Sequence, residues 1–223
     1  MSGDSQVEHE VVVIATGVAN VASVEAAFRR LGATVRLSTD PGDVTAADRV
    51  VLPGVGSFAA GMDRLEAAGL VPVVRERIVA GRPTLAICLG AQLLAAESEE
   101  SPGVHGVGVW PEVTVKRLAG PPGWSGSLPH LGWNRVEPLS DLARGGEPAS
   151  VSLEAGYAYF ANSFGLPALP DGWSGAFSMH GFPFVAAVTR GAVLACQFHP
   201  ELSGAYGQSL LARWLQQEAV SSC

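Results

Sequence analysis

The chain predicts an α/β fold: a single three-layer domain with a mostly parallel central sheet flanked by helices and a smaller antiparallel sheet portion. Three observations carry that expectation. Over the first hundred residues, short apolar runs alternate with segments of helical periodicity, the pattern of βα units whose strands are buried on both faces. After Glu100 glycine and proline become frequent and the apolar runs follow one another without helical pattern between them, which suits antiparallel strands. Finally, 223 residues with 48% hydrophobic and only 16% charged side chains supply one large core, and no stretch is long or polar enough to separate two domains. The domain is expected over residues 11–219, with flexible termini at 1–10 and 220–223.

Val11 to Ile14 reads as the first buried strand. The turn Thr16-Gly17-Val18-Ala19-Asn20 ends in a good helix cap, after which Val21, Val24, Phe28 and Leu31 recur at helical spacing up to Gly32. Val35 to Leu37 and Val50 to Leu52 are further strands, joined by a polar connection from Thr39 to Asp48. Met62, Leu65 and Leu70 then give helical cover before Gly81 and Pro83 lead into an apolar strand, Thr84 to Cys88. Beyond Gly90, Leu93, Leu94 and Ala96 predict a helix packed on the sheet. Val107 to Trp110, Val113 to Leu118 and Val151 to Leu153 read as short strands, and Leu139 to Ser150 as a surface loop. Phe184 to Val188 and then Ala192 to Ala195 are strand-like. Leu210, Leu211, Trp214 and Leu215 mark a closing amphipathic helix, which frays at Val220 to Cys223. In such a sheet the active site lies outside the carboxyl edge of the strands, where Gly54 and Cys88 both fall.

A net charge of −7 argues against nucleic-acid and anionic-membrane partners and leaves small molecules and proteins. The three cysteines, Cys88, Cys196 and Cys223, are odd in number and far apart, which fits a reducing compartment better than a disulfide framework. Met1 to Glu10 is polar and acidic, unlike an export signal, and no apolar run approaches bilayer length, so a cytoplasmic protein is expected. The histidines are scattered and no Cys-x-x-Cys occurs, so no metal site is expected.

Cys88 stands between a strand and a helix, as at a nucleophile elbow, where the turn pushes the side chain out at the sheet edge and a helix N-terminus favours thiolate. Taken alone, a cysteine buried in an apolar core explains it as well. A second stretch, Ala195-Cys196-Gln197-Phe198-His199-Pro200-Glu201, places a carboxylate two residues after a histidine with a stiff proline between. That suits an imidazole oriented by Glu201 on one nitrogen and facing a nucleophile with the other. A third, Val50-Val51-Leu52-Pro53-Gly54-Val55-Gly56-Ser57, runs a strand into a two-glycine turn whose peptide N–H is free to rotate toward an oxyanion, though Gly-x-Gly alone is a weak signal.

Together these stretches resemble the class I glutamine amidotransferases. More narrowly, Pro53 to Phe58, Ile87 to Gln92 with Ser98-Glu99-Glu100, Pro129-His130-Leu131-Gly132-Trp133-Asn134, and Gln197 to Glu201 with Ser203-Gly204 resemble the glutaminase subunits of imidazole glycerol phosphate synthases, from about Val11 to Leu215. The resemblance implies a Cys88–His199–Glu201 triad and an oxyanion hole from backbone N–H groups of Leu89 and the Gly54-Val55 segment. It implies glutamine contacts by Gly56, Gln92, Glu100, Asn162, Ser163 and Phe164. It also implies a (β/α)₈-barrel synthase partner docked through Asn20, Pro129, Leu131, Trp133, Tyr159 and Leu202, in histidine biosynthesis, with no cofactor. A plain helix residue at Gln92, a solvated Glu100, a simple helix cap at Asn20 and core packing of Trp133 are the structural alternatives. Four positions depart from the family pattern. Leu202 replaces a lysine that pairs with the synthase, Asn162 replaces a histidine, and Ala19 and Ala86 are also off-pattern. These departures leave open a glutaminase serving a different synthase, or a catalytically quiet interaction protein of the same fold.

Overall fold

The computed structural model describes residues 9–15, 17, 20–139 and 151–217. Its main sheet has nine strands in the order β2-β1-β3-β4-β12-β11-β10-β7-β8. The parallel half comprises β1 (Glu10–Ile14), β2 (Thr34–Ser38), β3 (Arg49–Gly54), β4 (Thr84–Cys88) and β12 (Val193–Cys196). Beyond β12 the pairing becomes antiparallel through β11 (Pro183–Arg190), β10 (Ser174–Met179), β7 (His130–Pro138) and β8 (Gly156–Asn162). A small second sheet joins β5 (Ala95–Ser98), β6 (Trp110–Arg117) and β9 (Phe164–Gly165). The antiparallel strands thus extend the main sheet, while the small one is mixed, β5 pairing parallel and β9 antiparallel with β6.

Strand alternation divides the core into two layers. Val12, Ile14, Val50 and Leu52 face α3 (Phe58–Ala67) and α4 (Leu70–Val79), which contribute Phe58, Met62, Leu65, Val74 and Ile78, with Trp110 and Val115 of the small sheet beside them. Val11, Val13, Val51, Leu85 and Ile87 face the other way, against α1 (Val21–Arg30) and α6 (Gly204–Leu215). Here Phe28 and Trp214 pack edge-on at 5.7 Å and the Trp214 indole donates to Ala192 O at 3.1 Å. Among the described residues no helix is long and apolar enough to cross a membrane.

Several sequence expectations change. The helix expected through Ala96 is a single turn, α5 (Leu89–Gln92), and Ala95 onward is strand. The carbonyls of Leu93, Leu94 and Ala96, which another helical turn would have used, instead accept from Val107, Val109 and Gly106 N–H at 2.7–2.8 Å. Val107 is therefore loop, and only one strand, β6, occupies Trp110–Arg117 where two were expected. Val151 to Leu153 is not a strand; Val151 is apolar because it plugs the core. The Thr39 to Asp48 connection holds a short helix, α2 (Pro41–Ala46), capped by the Asp40 carboxylate, which accepts from Gly42 and Asp43 N–H. The Phe184–Ala195 region is a hairpin of β11 and β12. Glu10, expected in the flexible N-terminus, begins β1 and pairs with Arg36 at 2.9 Å. Asn20 occupies the cap position of α1, but only its backbone carbonyl takes part; its side chain makes no cap bond. Residues 1–8, 16, 18, 19, 140–150 and 218–223 lie outside the described residues, and with them most of the expected surface loop, most of the expected turn before α1 with its off-pattern Ala19, the remainder of the expected flexible termini apart from His9, and Cys223.

Candidate active site

Strands β3 and β4 end side by side, with Gly54 in register with Cys88 at the carboxyl edge of the sheet. Among the described residues Cys88 is the one non-glycine residue with a positive φ, at +54° with ψ −112°. This is the strained backbone of an elbow, and it turns the side chain away from the sheet. The turn closes tightly on β3: a Cβ on Gly90 would lie 2.1 Å from Leu52 O. Gly56, at φ +97°, makes the opposing turn.

On the other side of β4, β12 runs parallel and delivers Gln197, Phe198 and His199. Phe198 anchors this segment in the core against Phe160 and Tyr206. The His199 backbone is held at both ends. Its N–H donates to Tyr159 O at 2.9 Å, and its carbonyl accepts from the Ser203 hydroxyl at 2.6 Å, which in turn accepts from Tyr159 N–H at 2.9 Å. A 3-10 turn at Pro200–Leu202 then folds Glu201 back, and its carboxylate meets His199 Nδ1 at 2.8 Å, with both side chains buried. Burial by itself would push the imidazole pKa down; hydrogen bonds to the Cys88 sulfur and to Glu201 outweigh it and raise it to about 10. The geometry thus favours an imidazolium between a sulfur and a carboxylate.

Cys88 and His199 open onto a cavity of about 310 Å³. Val55, Gly56, Leu89 and Gln92 line it from the two turns, Glu100 lies beside them, and Pro129, Ala161, Asn162, Ser163 and Phe164 complete the lining. Gln92 is buried, its amide N–H groups donating to Phe164 O at 2.8 Å and Gln197 Oε1 at 2.9 Å. Glu100 accepts from Phe58 N–H at 2.7 Å, so it caps α3 while bordering the cavity. Asn162 donates to the same Phe164 carbonyl at 3.0 Å and leaves its buried Oδ1 without a partner. Among the described residues no cluster of three or more His, Cys, Asp or Glu is placed to hold a metal ion.

Of the expected docking residues, Pro129 lines the cavity, while Leu131, Trp133 and Leu202 lie on the surface, 66%, 56% and 38% exposed. Trp133 is paired across the β7–β8 ladder with Tyr159, their rings 6.2 Å apart. Core packing of Trp133 is thereby excluded. Asn20 is exposed at the start of α1 and does not reach the cavity. Two buried side chains escaped the sequence reading as site residues: Ser203, which holds the His199 backbone, and Gln197, whose amide approaches the Cys88 sulfur at 3.8 Å.

Residues 12–217 match the family model for glutamine amidotransferase class-I. The chain is 40% identical over 205 residues to the imidazole glycerol phosphate synthase subunit HisH of Symbiobacterium thermophilum, covering 92% of each chain. It is also 40% identical over 207 residues to the subunit of the same name in Escherichia coli K12, covering 92% of this chain and 98% of that one. Among solved structures it is similar to one described as a glutamine amidotransferase, with a TM-score of 0.69, 22% identity, and 92% and 97% coverage of this chain and that one, which speaks for the shared fold. The chain belongs to the class I glutamine amidotransferases and, within them, to the family of the imidazole glycerol phosphate synthase subunits HisH.

Proposed function

We propose that this chain is the glutaminase subunit of an imidazole glycerol phosphate synthase, hydrolysing glutamine to glutamate and passing ammonia to a (β/α)₈-barrel synthase subunit in histidine biosynthesis. The observation that supports it most is His199 set between the Cys88 sulfur and the Glu201 carboxylate beside a cavity of small-molecule size. In this reading the Cys88 thiolate adds to the side-chain amide carbon of glutamine. The oxyanion is held by N–H groups of Leu89 and the Gly54-Val55 segment. His199 gives its proton to the departing nitrogen as the C–N bond breaks, leaving a thioester and ammonia. It then takes a proton from water, whose oxygen displaces Cys88 to give glutamate, while Glu201 holds the imidazole in its orientation. Gln92, Asn162 and Glu100 present acceptors to the ammonium and amide N–H groups of the substrate, with Gly56, Ser163 and Phe164 also lining the cavity.

Ammonia released into neutral water is protonated and no longer a nucleophile, so a separate glutaminase needs a partner that covers its site. The exposed Leu131, Trp133 and Leu202, with Tyr159, Pro129 and Asn20, form the face we assign to that partner. The free Cys88 thiol suits a reducing, cytoplasmic setting.

The test is steady-state glutamate release, for the chain alone and with a histidine-pathway synthase subunit plus its nucleotide substrate, with Cys88→Ala as control. Weak activity that rises strongly with both additions and vanishes in Cys88→Ala is expected. Cys88-dependent activity indifferent to that partner points to a different synthase, a reading that the apolar Leu202 at the face would then explain.

A further inference from the structure

We propose that Gln197 is a positioning residue for this glutaminase, holding the Cys88 sulfur with its amide N–H and tying it to the cavity side chain Gln92. The inference rests on the glutaminase reading and extends it to a residue outside the triad. Its orientation follows from a chain of hydrogen bonds with one fixed end. The Phe164 carbonyl only accepts, so the Gln92 group 2.8 Å from it is the NH₂. That same NH₂ lies 2.9 Å from the Gln197 amide, which therefore presents its oxygen there. The Gln197 NH₂ is then the end that remains, and it lies 3.8 Å from the Cys88 sulfur, a reach suited to a hydrogen bond to a large, soft acceptor. Gln197 and Gln92 are both buried, so neither bond competes with bulk water.

Two consequences follow. Cys88 is approached by two donors from the segment that follows β12, His199 and Gln197, and only the first carries a charge that it loses when it transfers its proton. Gln197 therefore keeps its hold on the sulfur through the thioester stage, when His199 is neutral, as well as when the sulfur is a thiolate. Gln92, with both N–H bonds engaged inside the protein, offers the cavity only its carbonyl oxygen, so Gln197, together with the Phe164 carbonyl, sets which end of Gln92 a ligand meets.

The two functions separate by substitution. Gln197→Glu keeps an acceptor for Gln92 but puts a carboxylate where the N–H faced sulfur; Gln197→Met, of similar volume, removes both groups. Iodoacetamide alkylation of Cys88 is followed against pH by mass spectrometry of its peptide, and kcat and KM for glutamine are measured with the synthase subunit present. Gln197→Glu is expected to raise the alkylation midpoint by about one pH unit and lower kcat about tenfold with KM nearly unchanged. Gln197→Met is expected to lower kcat similarly and also raise KM, because Gln92 is then held by the Phe164 carbonyl alone. Thermal melts establish that each variant is folded. Folded variants with an unmoved alkylation midpoint and kcat and KM within about twofold of the unsubstituted chain would overturn the proposal. The alkylation profile needs no turnover, so absence of glutaminase activity in the unsubstituted chain would instead count against the functional reading and leave this measurement decisive for Gln197.

Discussion

Cys88 is presented by its backbone: φ of +54° in a residue with a Cβ persists only because β3, β4 and the following turn leave the chain no other path. His199 is presented differently, by three hydrogen bonds to its main chain and, on its ring, by the Glu201 carboxylate opposite the Cys88 sulfur. Because the ring bond to Glu201 is part of what raises the imidazole pKa to about 10, Glu201→Gln has two expected effects. In coupled glutamate-release assays kcat falls by about 10²–10⁴ while the protein stays folded. The dependence of stability on pH also changes. A histidine raised above its unfolded value contributes stability that is fully present below about pH 6.5 and lost as pH rises toward 10. Urea unfolding at pH 6 and 9.5 is expected to show that loss in the unsubstituted chain and a smaller one in Glu201→Gln.

The element that decides the site is the elbow formed by β4 and the one-turn α5, wedged under the end of β3. Its clearance is set by Gly90, whose missing side chain leaves room for Leu52 O. Gly90→Ala forces the turn off β3 and is expected to destabilise the chain by about 3 kcal/mol in urea titrations, with glutaminase activity lost more completely than stability. The neighbouring α4 is tied to the sheet by Arg77, whose buried guanidinium donates to the carbonyls of Val44, Ala47, Asp48 and Pro83. Burial, with repulsion from Arg82, lowers its pKa to about 9, and the four carbonyls replace the water it gives up. It fastens the loop before β3 to the loop before β4, so the strands that carry Gly54 and Cys88 start, as well as end, in step.

Across the whole molecule, the antiparallel half of the sheet closes over the far side of the cavity and brings a second titratable centre into the core. His130 on β7 stacks on Phe160 at 4.9 Å and on His180 at 4.3 Å. Burial, then the His180 charge, lowers its pKa to about 4. Between pH 6.5 and 4 the unfolded chain takes up a proton that the folded chain refuses, so stability falls as pH drops through that window. Unfolding free energies at pH 7 and 4.5 are expected to differ by about 1–3 kcal/mol more in the unsubstituted chain than in His130→Phe.

How much of this was legible before the fold was known follows from what each signal depends on. Strand and helix periods, the Pro83 boundary and the apolar runs are local, and β1 to β4, α1 and α6 were read from them. The residues we propose as the triad could be picked out because Cys88 stands at a strand end and His199 and Glu201 sit two apart around a proline. The length of α5 was not, since carbonyls that a local pattern assigns to a helix are taken by N–H groups a dozen residues away, at Gly106 to Val109. Gln197 was missed for a similar reason. Its place two residues before His199 in an extended chain puts both on one face, but what that face meets is set by β4. The sequence by itself determined the layers and the chemical groups at the sheet edge, because hydrophobic period and turn chemistry act over a few residues. Only the tertiary structure decided which groups touch, because the β3–β4–β12 register and the return of β8 over His199 join stretches that lie tens of residues apart and, for β4 with β12, more than a hundred.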